Sequence, residues 1–198
     1  EVIMTEEIKS LTDYQHIRLR PGMYIGSVDP HTQDVIIFDQ DYNYSIQEAT
    51  WVPAIYTTFR EILDNALDEV VGYGYGNRID VTFDVSTLTF SVSDNGRGIP
   101  LDKATVALTE PRTGRNFGDR QAVAGMNGIG ASAVSISSEE FEIDIHRDGK
   151  HFVQHIREGN AISDKLQIDK PKITQYSGSR TGTKISFTLS RELFKHRE

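Results

Sequence analysis

The pattern of apolar positions predicts one long helix in the first half of the chain. From Pro53 to Val71 the apolar residues recur at spacings of three and four, as they do on one face of an α-helix. Pro53 suits a first helical turn, and Gly72 is typical of a helix end. The apolar residues of this stripe are Ile55, Phe59, Ile62, Leu63, Ala66 and Val70.

Alternation of apolar and polar residues predicts strands over much of the remaining chain. Residues 79–85 and 88–92 are separated only by Ser86-Thr87, which indicates a hairpin with one buried face. Shorter helical patterns occupy 100–110 and 128–138. The segments predicted as strands are 35–38, 44–46, 79–85, 88–92, 141–145, 151–156 and 185–189.

The order of these elements predicts an α+β fold. Strands follow one another in hairpins and do not alternate singly with helices, so we expect a two-layer sandwich. One layer is a mostly antiparallel mixed sheet, and the helices cover one of its faces. Residues 1–198 are expected to form a single domain, with an N-terminal arm over 1–20 and a Gly- and Arg-rich loop over 111–127.

Composition narrows the class of protein. Hydrophobic residues make up 37% of the 198 residues and no apolar run is long enough for a membrane span, so we expect a soluble globular fold. Cysteine is absent, which excludes disulfides and thiolate sites and suggests a reducing, intracellular setting. The net charge of −8 does not favour direct binding to nucleic acid phosphates. The chain begins at Glu1, and we expect it to be a piece of a larger subunit.

The polar face of the long helix is the first candidate for chemistry. At 100° per residue, Glu61, Asn65 and Asp68 fall on one side, with Asp64 and Glu69 beside them. A solvated acidic surface would explain this pattern. A functional explanation is also open, because Glu61 could activate a water as general base and the amide oxygen of Asn65 could bind Mg²⁺ that carries phosphates.

Two glycine-containing turns lie beside predicted strands, one after a strand and one before the last strand. In the segment 94–100, Asp94 could accept a hydrogen bond from an exocyclic amine, and Arg97 needs a partner, for which Glu69 is a candidate. Before the last strand, Gly182-Thr183 could bring a hydroxyl near a nucleotide base. Ordinary surface turns explain both segments equally well when each is taken alone.

A third glycine-rich segment, 125–130, precedes a predicted helix. Backbone N–H groups at a helix N-terminus suit a triphosphate. This glycine pattern is weak evidence by itself. It is not a Rossmann fingerprint, because no strand leads into it, and it is not a P-loop, because no Lys-Ser/Thr follows.

The four segments together resemble the four ATP-binding motifs of the GHKL superfamily, which includes gyrase-type topoisomerases, Hsp90, sensor histidine kinases and MutL. They are Glu61-x-x-x-Asn65, Asp94-x-Gly96-x-Gly98, Gly125-x-x-Gly128-x-Gly130 and Gly182-Thr183. The segment 20–26 (Arg-Pro-Gly-Met-Tyr-Ile-Gly) is similar to a signature of type IIA topoisomerases. The sequence segments 50–53 and 116–119 resemble phage and eukaryotic large subunits more than bacterial gyrase.

The resemblance implies a role for each matched position. Glu61 would be the general base, Asn65 the Mg²⁺ ligand, and Asp94 the group that recognises adenine. Residues 111–130 would form a lid over the phosphates. The nucleotide-site residues implied are Glu61, Asn65, Glu69, Asp94, Arg97, Gly98, Ile99, Pro100, Gly125, Asn127, Gly128, Ile129, Gly130 and Thr183.

The function implied is that of the ATP-binding and ATP-hydrolysing N-terminal domain of a type II DNA topoisomerase, with ATP and Mg²⁺ as cofactors. Such a domain dimerises when ATP binds and drives DNA strand passage, while other domains or subunits hold the DNA. We expect no membrane partner and a cytoplasmic location, in the host if a phage encodes the protein. The alternatives are a histidine-kinase-like domain or another nucleotide-binding module of this superfamily; Glu61 favours hydrolysis over phosphotransfer to a histidine.

Overall fold

Two antiparallel sheets and four α-helices form the part of the chain that the computed structural model describes, residues 11–111, 130–159 and 164–195. A 3₁₀ turn at Pro21–Met23 and a π turn at Asp68–Gly72 complete the helical elements. The α-helices are α1 (Asp13–Leu19), α2 (Pro53–Leu67), α3 (Ala104–Thr109) and α4 (Gly130–Ile136). The strands are β1 (His31–Phe38), β2 (Tyr44–Trp51), β3 (Ile79–Asp84), β4 (Thr89–Asp94), β5 (Ser138–Arg147), β6 (Lys150–Arg157), β7 (Gln167–Ile168), β8 (Lys172–Gln175) and β9 (Gly182–Leu189).

The larger sheet has the strand order β3-β4-β9-β5-β6-β7, and β8 also pairs with β6. β1 and β2 form a separate hairpin. The α+β class and the antiparallel sheet are confirmed. The expected mixed character does not occur among the described strands, because each of them runs opposite to the strands it pairs with.

The core lies between the larger sheet and the helices. Ile62 and Ala66 of α2 are 2% and 5% exposed, as the apolar stripe predicts. Phe90 of β4 stacks on Phe187 of β9, with ring centroids 5.1 Å apart, and on Phe59 of α2 at 5.7 Å. This aromatic contact joins the long helix to the middle of the sheet.

The predicted hairpin of β3 and β4 forms, but only β4 buries its apolar face. Val81, Phe83 and Val85 are 45–65% exposed because β3 is the edge strand of the sheet. The expectation of a buried face on both strands was therefore wrong for the edge strand, although Phe83 still stacks on Phe90 at 4.3 Å.

Each of the three predicted helices forms at the predicted position, but the observed α-helix is shorter than the predicted one. The helix expected over 53–71 continues as an α-helix to Leu67 and then becomes a π turn. Those expected over 100–110 and 128–138 are α3 and α4, and Ser138 already belongs to β5.

The described part of the expected N-terminal arm, residues 11–20, contains α1, which packs on the domain. Thr12 caps this helix in a capping box, and Tyr14 and Ile17 are buried. Arg18, whose side chain is only 11% exposed, contacts Glu158 at 2.9 Å and Glu192 at 2.6 Å. The charged network therefore ties α1 to the end of β6 and to the segment after β9.

Loss of this network should destabilise the domain. We expect Arg18→Ala to lower the free energy of unfolding by about 1–3 kcal/mol, because it leaves the partly buried carboxylate of Glu158 without its cation. The control Arg191→Ala removes a 72% exposed arginine that pairs with Glu139, and should change stability by less than about 0.5 kcal/mol. Urea unfolding measures both variants, and equal midpoints would argue against a stabilising role for Arg18.

Candidate functional site

The polar face of α2 presents Glu61 and Asn65 side by side. The side-chain nitrogen of Asn65 donates a hydrogen bond to the backbone carbonyl of Glu61, 2.9 Å away. This bond turns the amide oxygen of Asn65 away from the helix backbone, and the residue is exposed. The helix thus offers a carboxylate and a neutral oxygen ligand on one surface.

Glu61 lies directly against the first residue of α4. A Cβ atom added at Gly130 would overlap the carboxylate of Glu61, so a larger residue there would displace the Glu61 side chain from this position. Burial raises the pKa of Glu61, and repulsion from Asp64 adds to the shift while Arg60 opposes it. A carboxylate with a raised pKa is a better proton acceptor than an exposed glutamate.

The π turn after α2 places a second carboxylate in the interior. The N–H of Tyr73 donates to the carbonyl of Asp68 at 2.8 Å, an i to i+5 bond that inserts one extra residue into the turn. Glu69 is only 4% exposed, whereas Val70 is half-buried. Glu69 follows Ile62 by seven residues, about two helical turns, so it lies on the same side of the helix as the buried Ile62. The sequence pattern placed Val70 in the buried stripe and Glu69 beside the polar face, and this assignment was wrong for both residues.

Glu69 forms a bidentate ion pair with Arg97, the partner that the sequence predicts. Its carboxylate accepts the Nε and Nη2 hydrogens of Arg97, each at 3.0 Å, and the backbone N–H of the same residue at 2.9 Å. The guanidinium also lies over the ring of Tyr75, 3.5 Å from its centroid. Sequence reasoning missed Tyr75, for which the only signal is an aromatic residue between two glycines.

Asp94 ends β4 and holds the turn that follows. Its Oδ1 accepts the N–H of Gly96 at 2.8 Å and that of Thr183 at 3.4 Å. A Cβ at Gly96 would overlap Glu69, so this glycine lets the turn pass between the two carboxylates. Backbone N–H groups after the end of β4 and at the start of β9 therefore fix the orientation of the Asp94 side chain.

The next residues of the turn lie against the ends of β5 and β9. Gly98 has a φ of +78°, and a Cβ there would lie 2.9 Å from the carbonyl oxygen of His146. The N–H of Ile99 donates to the Thr183 hydroxyl at 3.1 Å, and Arg147 donates to the carbonyl of Gly98 at 2.5 Å. Pro100 follows at the end of the turn and is half-buried.

A cleft of about 390 Å³ opens beside this turn. Arg97 lies in its wall, together with Arg147 and Tyr75, which the sequence analysis did not select. The other lining residues are Gly76, Asn95, Gly96, Asp148 and Thr181.

The structure brings two groups of predicted residues together. Glu61, Asn65 and Gly130 form one group. The second group consists of Glu69, Asp94, Arg97, Gly98, Ile99 and Thr183. Gly125, Asn127, Gly128 and Ile129, with most of the expected lid, lie outside the described residues, so their part in phosphate binding stays a prediction.

Among the described residues no helix is long and apolar enough to cross a membrane.

Comparison with known proteins places this geometry in a family. The sequence profile of the histidine kinase-, DNA gyrase B- and HSP90-like ATPases matches residues 52–193. The B subunit of DNA topoisomerase 4 from Staphylococcus aureus is 34% identical over 199 residues, which covers 96% of this chain and 26% of that relative. The chain thus spans about a quarter of the length of this relative.

Solved structures agree with the sequence comparison. The ATPase region of Saccharomyces cerevisiae topoisomerase II superposes with a TM-score of 0.84 at 28% identity, over 96% of this chain and 53% of that chain. The ATPase and transducer domains of topoisomerase II from Balamuthia mandrillaris give a TM-score of 0.82 at 30% identity, over 94% and 50% of the two chains. The chain belongs to the histidine kinase-, DNA gyrase B- and HSP90-like ATPase family.

Proposed function

We propose that this chain is the ATP-binding and ATP-hydrolysing N-terminal domain of a type II DNA topoisomerase. The observation that carries the proposal is the contact between the Glu61 carboxylate and Gly130, which places a base of raised pKa at the start of α4. The similarity to the bacterial topoisomerase 4 protein and to two topoisomerase II ATPase regions supports the choice of enzyme class.

Glu61 is the general base of the proposed reaction. Its carboxylate accepts a proton from the water that attacks the γ-phosphorus, and the bond from that phosphorus to the bridging oxygen of ADP breaks. Burial raises the pKa of the carboxyl group, which strengthens the base. A histidine kinase has no need of a base that activates water, so this residue favours hydrolysis.

Asn65 fits the Mg²⁺ that such a site requires. Its amide nitrogen is bonded to the Glu61 carbonyl, so the oxygen faces away from the helix and is available as a hard, neutral ligand. Mg²⁺, when bound, neutralises charge on the phosphate oxygens. Gly125, Asn127, Gly128 and Ile129 are proposed to bind the phosphates through their backbone N–H groups.

Asp94 recognises adenine in the proposed complex. Its carboxylate accepts a hydrogen from the exocyclic amine, in an orientation fixed by the N–H groups of Gly96 and Thr183. Thr183 adds its hydroxyl, directly or through water. Gly98, Ile99 and Pro100 line the base and the ribose, while Arg97, held by Glu69, closes the edge of the pocket.

The remaining functions of the enzyme belong to other parts of the proposed subunit or holoenzyme. The charge of −8 is consistent with DNA being bound there. We propose that ATP binding joins two copies of this domain, and that a lysine from a following module contacts the γ-phosphate. The proposed location is intracellular, in the cytoplasm of the cell or of a phage host.

Glu61→Gln should separate binding from hydrolysis. In the subunit that contains this domain, we expect unchanged ATP affinity and a turnover about 10²- to 10⁴-fold lower, because only the proton acceptor is lost. Since the pKa of Glu61 is raised, the parent rate should fall at a higher pH than the ordinary glutamate pKa as the solution is acidified. Phosphate release measures the turnover, and calorimetry measures the ATP affinity.

Glu48→Gln, on the exposed strand β2, is the control for the Glu61 variant. Near-normal turnover of Glu61→Gln would contradict the assignment of Glu61 as general base.

Asp94→Ala should weaken ATP binding and abolish the preference for adenine over guanine. Loss of this half-buried acceptor costs about 1–3 kcal/mol, or about 5- to 150-fold in affinity. Asp80→Ala, on the exposed edge strand β3, should leave both properties unchanged. Calorimetry with ATP and GTP makes the comparison, and unchanged ATP affinity in the Asp94 variant would exclude its proposed role.

The 198-residue chain alone should bind ATP with Mg²⁺ but hydrolyse it slowly. It supplies Glu61 and Asn65, whereas the proposed lysine cation for the γ-phosphate lies in another module. We expect the chain to stay largely monomeric without nucleotide and to turn over far more slowly than the complete subunit. Sedimentation and phosphate-release assays test this, and equal turnover would show that no outside lysine is needed.

A further inference from the structure

A cluster of metal-ligating side chains lies on the open face of the larger sheet, opposite the helices. His146 of β5 and His151 of β6 are cross-strand partners, so their side chains project from the same face. Asp144 lies two residues before His146 on β5 and shares that face. Phe141, on the other face of β5, packs in the core.

The ligand atoms of the three side chains already lie close together. The Oδ1 atom of Asp144 is 3.0 Å from Nε2 of His151 and 3.4 Å from Nδ1 of His146. The three atoms all lie within 4.8 Å of one another. Bonds of about 2.0–2.1 Å to a tetrahedral ion require ligand atoms about 3.3 Å apart. Two of the three separations are near this value, and the third, between the two imidazole nitrogens, is within 4.8 Å.

The surroundings hold the two imidazoles in place. Their rings stack with centroids 4.1 Å apart and planes 16° from parallel. Tyr176 packs its ring edge to face against His146 at 4.5 Å, and the His146 side chain is only 7% exposed.

We propose that Asp144, His146 and His151 bind one divalent transition-metal ion of the Zn²⁺ class. Two imidazole nitrogens and one carboxylate oxygen suit Zn²⁺, Co²⁺ or Ni²⁺, with solvent in the remaining coordination positions. Mg²⁺ prefers oxygen ligands, so the site does not compete for the magnesium proposed at Asn65.

The proposed metal site lies close to the turn that lines the proposed base pocket. His146 is the register partner of Gly182, which precedes Thr183, and the neighbouring Arg147 donates to the carbonyl of Gly98. A bound ion would therefore join β5 to β6 directly behind the turn that lines the proposed base pocket. Since a ligand that binds only the folded state stabilises it, Zn²⁺ should raise the unfolding temperature of the chain.

The same two strands supply a matched control. His155 and Glu142 are also cross-strand partners on the open face, and their side chains approach to 3.5 Å. The groups of three potential ligands among the described residues do not include this pair. A histidine and a carboxylate alone should bind the ion far more weakly than the three-ligand cluster.

The experiment is a metal titration of the 198-residue chain without an affinity tag. Visible absorption follows Co²⁺ binding, and calorimetry follows Zn²⁺ binding. We compare the parent with His151→Gln, Asp144→Asn and the control His155→Gln, after unfolding in EDTA has shown equal stability without metal. Asp144→Asn and His151→Gln replace the more accessible ligands, so the buried His146 stays in place.

The expected result is one ion per chain in the parent and in His155→Gln. His151→Gln and Asp144→Asn should each lose affinity by about 100-fold or more, since loss of groups that only support the ligands already costs about 10- to 100-fold. Zn²⁺ should raise the unfolding temperature of the parent but not of these two variants. Absence of one-to-one binding in the parent, unchanged affinity in the two variants, or an equal loss in His155→Gln would overturn the proposal.

Discussion

The ion pair between the buried Glu69 and the partly exposed Arg97 is the constraint on which the proposed nucleotide site depends. Glu69 is 4% exposed, and burying such a carboxylate is costly unless its oxygens are fully bonded. Arg97 satisfies them through two side-chain hydrogens and its own backbone N–H. Because the backbone of Arg97 is part of this interaction, the pair fixes the turn after β4 relative to α2. The orientation of Asp94 and the position of Gly98 follow from that turn.

The same helix carries the proposed catalytic group, so one element coordinates both ends of the site. α2 is attached to the sheet by Ile62, Ala66 and the stacking of Phe59 on Phe90. Its polar face then holds Glu61 against Gly130, and its π turn delivers Glu69 to the turn after β4. A shift of α2 would therefore move the general base and the base-recognising turn together. Glycine occupies the two positions that lie against these glutamates. A Cβ atom at position 96 would meet the Glu69 side chain, and one at position 130 would meet the Glu61 carboxylate.

The periodicity of the sequence correctly predicted the features that arise from regular helices and strands. The 3.6-residue repeat placed Glu61 and Asn65 on one face, and alternation located the main strands, because both patterns continue unchanged through these elements. Two predictions failed for different reasons. Glu69 follows Ile62 by seven residues, so it lies on the buried side of the helix although the sequence pattern grouped it with the polar face, and Val70 is half-buried. The edge position of β3 left Phe83 exposed. Tyr75 was not predicted, since its position depends on a contact with the Arg97 guanidinium. The histidine cluster was not predicted, since it depends on the pairing register of the β5–β6 hairpin, in which His146 lies opposite His151.

β5 shows how one strand can serve two surfaces with different chemistry. Successive side chains alternate between the faces of a sheet, so Phe141, Ile143 and Ile145 enter the core while Asp144 and His146 face the opposite side. At the end of the strand, the His146 backbone and the Arg147 side chain meet Gly98. An ion bound on the open face would therefore lie next to the proposed base pocket, because β5 carries two of its ligands and contacts Gly98 at its end.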